Sequence, residues 1–335
     1  MSRKFARTML VAAVAVASLT AGLSGPASAS AAAAASAAGK PVKQPVSQAR
    51  VAEHFDLLAG QMPENIALEP DGSVDLTFAG ARQIARVSPA GKIRVLATLP
   101  KPADDGVNTP ALGFPLVTGL VRAEHGTLYF LYATGTADLT GVWRLTPGGT
   151  PRRIAALPAD GLPNGLALDT RSGTLYLTDS VRGVIWRVPT GGGRPTVWAD
   201  GAELASTGFL GANGLKVHGG AVWVSNMDKG TVVRFPVTRD GRAGAPEVRA
   251  RNLDGIDDFA FPGRGDRLLA ALDQSSEVAL VEPDGRHRIV LTARDGLQNP
   301  TSVAVRGGKV YVPSAAYLTG QDPNLVTARI ARPRG

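Results

Sequence analysis

The sequence predicts an all-β chain folded as a six-bladed β-propeller, with four antiparallel strands per blade and a ring closed by an N-terminal strand in the last blade. Three observations carry this. A short phrase, a polar residue followed by the apolar start of a strand, returns six times, at Glu64, Thr118, Asn164, Asn213, Asp257 and Thr301. The spacings of 54, 46, 49, 44 and 44 residues suit four-stranded blades and are too long for leucine-rich or ankyrin units. The last repeat holds only three strand-like runs, near 302–305, 309–312 and 326–330, while a spare run, Ala49 to Leu58, precedes the first phrase. An open sheet edge leaves unpaired backbone groups, so that spare run is expected to supply the outer strand of blade six.

Taken in order, the chain begins with a secretory signal over 1–29. Arg3, Lys4 and Arg7 charge its start, Met9 to Leu23 is apolar, and Ala27-Ser28-Ala29 is a small-x-small cleavage site. Only one arginine of a twin-arginine pair is present at Arg3-Lys4, which favours the general secretory route. Residues 30–48, rich in Ala, Ser and Pro, read as a flexible leader, and 49–335 as the propeller. Blade three shows the plan best: Gly165-Leu-Ala-Leu, Thr174-Leu-Tyr-Leu-Thr, Val184-Ile-Trp-Arg-Val and Thr196-Val-Trp are β-branched and aromatic runs bounded by Gly, Pro, Asp or Ser. Blade four repeats it, with Leu215-Lys-Val, a turn at His218-Gly-Gly, Ala221-Val-Trp-Val-Ser and Thr231-Val-Val-Arg-Phe.

Composition narrows the function. Hydrophobic residues make up 44% and charged ones 19%, which is ample for a buried core. The absence of cysteine removes disulfides, thiolate metal sites and cysteine nucleophiles. The formal charge of +8 includes the three basic residues of the signal, and the others are scattered along strand ends with no basic run. This argues against a nucleic-acid partner. The apolar part of the signal is short for a membrane span, so no membrane anchor is expected, and the secreted chain is expected to act as a monomer.

Equivalent positions of a propeller converge on its central channel, so Glu64, Asn164, Asn213 and Asp257 should face one another. Two carboxylates and two amide oxygens suit a hard cation, most simply calcium, with coordination positions left for water or substrate. Such a cation polarises an ester or lactone carbonyl while a carboxylate beside it handles the proton, and Asp257 is the candidate for that catalytic role. Asp258 then points to the other strand face and is structural. The competing reading is that each polar residue caps a turn, as Asn and Asp do through backbone hydrogen bonds. It is the shared register that favours a common site. A second ring, Asp179, Asn226 and Asp273, ends the second strands and is open to both readings. His54, His125, His218 and His287 are placed in turns or outer strands, which argues against a histidine triad. Gly263-Arg-Gly-Asp-Arg reads as a hairpin turn.

Leu162-Pro-Asn-Gly-Leu-Ala-Leu-Asp, Leu175-Tyr-Leu-Thr-Asp-Ser and Gly211-Ala-Asn-Gly-Leu with Val222-Trp-Val-Ser-Asn resemble the SMP-30/gluconolactonase/LRE-like propellers. Strictosidine-synthase-like and paraoxonase propellers are more distant relatives. The resemblance runs from about Glu53 to the C-terminus. It implies one divalent metal held by Glu64, Asn164, Asn213 and Asp257, with Asp257 as general base. Two departures stand out. Sugar-lactone members carry Arg where this chain has Leu162, and the usual Glu-Gly-Pro or Glu-Ser-Pro of blade one is Glu64-Asn65-Ile66. A leucine at the mouth points to a less polar acyl or lactone substrate. The expected function is therefore a secreted, metal-dependent hydrolase of lactones or related esters. The alternative is a secreted non-catalytic binding propeller in which the channel metal only ties blades together.

Overall fold

A computed structural model describes residues 45–331, and the expected signal and most of the leader lie outside these residues. Six four-stranded antiparallel sheets form the ring. Blades one to five are each built from four consecutive strands, the first innermost and the fourth outermost. The inner strands are Pro63–Leu68, Leu116–Arg122, Pro163–Asp169, Ala212–His218, Ile256–Ala260 and Ala304–Arg306. All six run the same way along the channel, so their first residues mark one end, here called upper, and their last residues the lower end.

Blade six has three strands of its own, and its outer position is filled by Val46–His54, which pairs antiparallel with Asn324–Ile330 from Val46 opposite Ile330 to His54 opposite Asn324. The ring thus closes through its N-terminus, as expected. The strand begins at Val46 rather than Ala49, inside the stretch assigned to the leader, because Val46 is apolar, almost fully buried, and packs into the core between blades five and six. The Gly263 to Arg267 stretch joins the first two strands of blade five, the hairpin turn that was expected.

Neighbouring blades interlock through apolar side chains. Leu269, Val278 and Leu280 of blade five meet Val310, Val312 and Val326 of blade six, and Trp223 of blade four packs with Ile256, Phe259 and Leu268. These contacts bury one face of each sheet against the next, as in any face-to-face sheet packing. Truncating a side chain as large and enclosed as Phe259 costs about 3–5 kcal/mol.

The repeated phrase has a backbone purpose. Gly119, Gly165 and Gly214 each follow the phrase's polar residue, and a Cβ on any of them would collide with the backbone of the next blade, at Asn164 O, Asn213 O and Asp257 O respectively. Glycine is needed because adjacent inner strands approach closely there. Side chains stitch the same junctions. Thr118 Oγ1 donates to Pro163 O at 2.8 Å, Thr301 Oγ1 to Pro63 O at 2.8 Å, Ser225 Oγ to Asp257 O at 2.5 Å, and Thr178 Oγ1 to Asn213 O. The two phrases that carry threonine thus spend their hydroxyls on the neighbouring blade.

Candidate metal centre

Glu64, Asn164, Asn213 and Asp257 each occupy the second residue of an inner strand, at the upper end, and all four are buried. Asn164 and Asn213 are placed by the Gly-linked turns just described, and Asp257 by its carbonyl, which Ser225 holds. Asn213 Nδ2 lies 3.9 Å from Met227 Sδ, while its Oδ1 is enclosed and has no hydrogen-bond partner. An amide oxygen left unpaired in the interior costs free energy that a ligand could recover.

The carboxylates of this end repel one another. Burial, followed by the neighbouring negative charges of Glu64, Asp273 and Asp258, pushes Asp257 well above the ordinary carboxylate range. Burial pushes Glu64 up to about 7, against a hydrogen bond from Tyr317 that opposes the rise. That bond, from Tyr317 OH to Glu64 Oε2, is 2.5 Å long. Tyr317 follows Ala316, which adopts φ +56°, a left-handed conformation unusual for a residue with a Cβ. The loop is fixed by Ala316 N donating to Gln298 O and by Leu318 N and Thr319 N donating to Asn299 Oδ1.

The second ring divides. Asp179 Oδ1 accepts from Leu162 N and Arg182 N, and Asn226 donates to Glu203 O and Ala205 O, so both cap turns. Asp273 does not. Its Oδ2 is enclosed without a partner, and burial together with Glu64 raises its pKa to about 8. The corresponding capping task falls to Asn299, whose Nδ2 donates to Asp273 O. Sequence reasoning left Asp273 undecided and missed Tyr317, which belongs to no repeated phrase.

An apolar layer covers the upper end. Leu116, Leu162, Leu210 and Met227, with Phe114 and Tyr317, form one cluster drawn from four blades. Leu162, expected at the mouth, is completely enclosed in this layer and does not face solvent.

Halfway down, the channel is crossed by polar side chains. Asp258 accepts from Lys216 Nζ at 2.5 and 2.6 Å, from Ser302 Oγ at 2.9 Å and from Asn65 Nδ2 at 3.2 Å. Asn65, Asp258 and Ser302 occupy the position that is glycine in blades two to four, so three side chains fill the space that three glycines leave. This is the structural role expected of Asp258.

Below that crossing lies a cavity of about 510 Å³, bounded by residues from the lower part of all six inner strands, Leu68, Arg122, Leu168, His218, Ala260 and Arg306 among them. His218, read from sequence as a turn residue, is the last residue of its inner strand, lines this cavity, and stacks on Phe261 with ring centroids 3.8 Å apart. The turn begins one residue later, at Gly219, because β-pairing runs on to His218 opposite Ala221. A second hollow, of about 630 Å³, lies against the outer hairpin of blade five and does not reach the channel.

Among the described residues no group of three or more His, Cys, Asp or Glu side chains is placed to hold a metal ion. A cation at the upper end would therefore draw on amide oxygens as well as on Glu64 and Asp257. The donor set fits that demand, since Asn213 Oδ1 is unpaired and calcium accepts mixed oxygen ligands.

Several solved propellers have this architecture. Virginiamycin B lyase from Staphylococcus aureus matches with a TM-score of 0.57 and 16% identity over 81% of this chain and 82% of that one. A gluconolactonase from Xanthomonas campestris matches with a TM-score of 0.57 and 14% identity over 88% and 99%. An auxiliary nutrient binding protein from Bacteroides ovatus matches with a TM-score of 0.59 and 12% identity over 82% and 70%. The likeness is one of fold. No protein-family model and no curated protein sequence matches the chain.

Proposed function

We propose that the chain is a secreted, metal-dependent hydrolase of lactones or related esters, with one divalent cation, calcium by preference, held at the upper end by Glu64, Asn164, Asn213 and Asp257. The observation that carries the proposal is the gathering of buried, mutually repelling carboxylates beside an unpaired amide oxygen at the end of the channel where the four phrases begin. Burying like charges together is costly unless a proton or a cation compensates them. A bound cation would supply Lewis acidity toward a substrate carbonyl.

The residues divide the remaining work. Tyr317 holds the Glu64 carboxylate in one orientation through its hydroxyl. Asp257, raised by burial and by its neighbours, is suited to take a proton from an attacking water and return it to the leaving oxygen. The apolar layer around Leu162 keeps bulk water out and favours substrates with an apolar acyl part over sugar acids. Gluconolactonase activity in a propeller of the same fold supports the lactone class.

A second reading has an observation of its own. The quartet is almost wholly buried, and one similar propeller is a nutrient binding protein, so a non-catalytic binding propeller with a structural cation also fits. The two separate on one assay, hydrolysis of a panel of aliphatic and sugar lactones with calcium and then with chelator. Chelator-sensitive turnover establishes the hydrolase. Calcium binding without turnover of any member establishes the binding propeller.

A further inference from the structure

The lower chamber is chemically unlike the upper one. Its wall includes Arg122, Lys216, His218 and Arg306 and contains no Asp or Glu. Three of these groups have acidic partners behind the wall, Lys216 with Asp258, Arg122 with Glu69 at 2.9 Å, and His218, whose Nε2 lies 3.9 Å from Asp266 Oδ1. Arg306 differs. Its guanidinium donates to Leu68 O at 2.8 Å and to Glu69 O, and it has no acidic partner among the described residues. Main-chain carbonyls hold that guanidinium in place without neutralising it, while Leu168 and Val305 give the wall an apolar stretch among its polar groups.

We infer that the lower chamber is a binding site for a small organic anion, a carboxylate or phosphate on an apolar body, whose charged end meets Arg306 at the rim and whose body lies against the apolar wall. Three features converge on this. A volume of about 510 Å³ is in the range of small-molecule sites, and its wall joins apolar side chains to placed polar groups. Arginine offers oxyanions a planar, bidentate set of donors, and a guanidinium fixed by carbonyls has little freedom left to lose on binding. The Asp258 crossing also separates this chamber from the upper one, so an anion below does not compete with the carboxylates above. The inference is independent of any hydrolytic activity.

Calorimetric titration of the mature protein with octanoate, octyl phosphate and octanamide tests it. At least one of the two anions is expected to bind at a single site, with octanamide at least about tenfold weaker. Arg306→Gln is expected to weaken the bound anion by about tenfold in a protein that still melts cooperatively, with a small fall in melting temperature from the lost bonds to Leu68 O and Glu69 O. Ala304→Phe, which fills the chamber, is expected to abolish binding in a protein that still melts cooperatively. Equal affinity for anion and amide, no binding of either anion, or unchanged affinity in both variants would each overturn the inference. So would loss of anion binding in Glu64→Gln with Arg306→Gln unaffected, since that result places the anion in the upper chamber.

Discussion

The two halves of the channel are built from the same six strands and differ in almost every chemical respect. The upper half gathers Glu64, Asp257 and Asp273 under an apolar layer, while the lower half is open and lined by Arg122, Lys216 and Arg306. The contrast arises from position along each strand. First residues set the upper chemistry and lower residues the chamber below, so one repeating unit carries two chemically distinct surfaces. The side chains crossing at Asp258 keep the halves apart and balance one charge from below, Lys216, against one from the middle. Fold alone does not dictate the chemistry of either half.

The sharpest test of the upper half is Asp257→Asn, which keeps an oxygen ligand and removes the proton acceptor. Turnover of the best lactone is expected to fall by about 10²–10⁴-fold, with a smaller loss of calcium affinity. Unchanged turnover would take Asp257 out of the chemistry. Removing the divider comes next. Asp258→Ala leaves Lys216 without its carboxylate in a largely buried setting, and urea unfolding should show a loss of about 2–3 kcal/mol. A loss below about 0.5 kcal/mol would mean that the crossing is ornamental.

A third test compares the two arcs of the crossing. Gly165→Ala puts a Cβ against Asn213 O and is expected to cost about 1–3 kcal/mol in the same unfolding experiment. The control is Ser302→Ala in the polar arc, which removes a single hydrogen bond to Asp258 and is expected to cost about 1 kcal/mol. A cost below about 0.5 kcal/mol for Gly165→Ala would contradict the close approach of backbone at the glycine positions.

The smallest effect expected is on pH. Glu64 and Asp273 have folded pKa values raised to about 7 and about 8, above those of the unfolded chain. In chelator the folded state then holds more protons than the unfolded state between those limits. Their penalty is absent below the unfolded values and grows as pH rises through about 7 and 8, so the melting temperature should decline over that window. Added calcium should reverse the decline. A melting temperature that rises from pH 5 to 8 in chelator, followed by differential scanning fluorimetry, would show that these carboxyls are not enclosed together.

Much of the fold was legible because a propeller repeats its hydrophobic pattern and its turn chemistry. The six phrases gave the blades their register, and the missing strand of blade six announced the closure at Val46–His54. The upper end was partly legible for the same reason, since Glu64, Asn164, Asn213 and Asp257 share one place in the repeat. Tyr317 was not, because it lies in a loop whose path depends on Asn299, 18 residues earlier, and on a left-handed Ala316. Asp273 was ambiguous because its ring-mates Asp179 and Asn226 do cap turns, and only the diversion of that task to Asn299 frees it. The crossing also leaves a trace in the sequence. The residue after each phrase's polar position is Asn, Gly, Gly, Gly, Asp, Ser in chain order, and the three that are not glycine are the three that bond together.

Those three, Ser302, Asn65 and Asp258, belong to blades six, one and five, a contiguous arc that straddles the place where the two ends of the polypeptide meet. The arc acts as a rivet beside the join, since the hydrogen bonds to Asp258 tie together side chains of blades five, six and one, and blade six is the one assembled from both ends of the propeller. A circular permutant with its new termini between blades two and three would move the join to the opposite side, where backbone contact at Gly119 and the Thr118 stitch are what remain. Such a protein should form the same ring but open more readily at its new ends, which hydrogen exchange in the strands Leu116–Arg122 and Pro163–Asp169 would reveal.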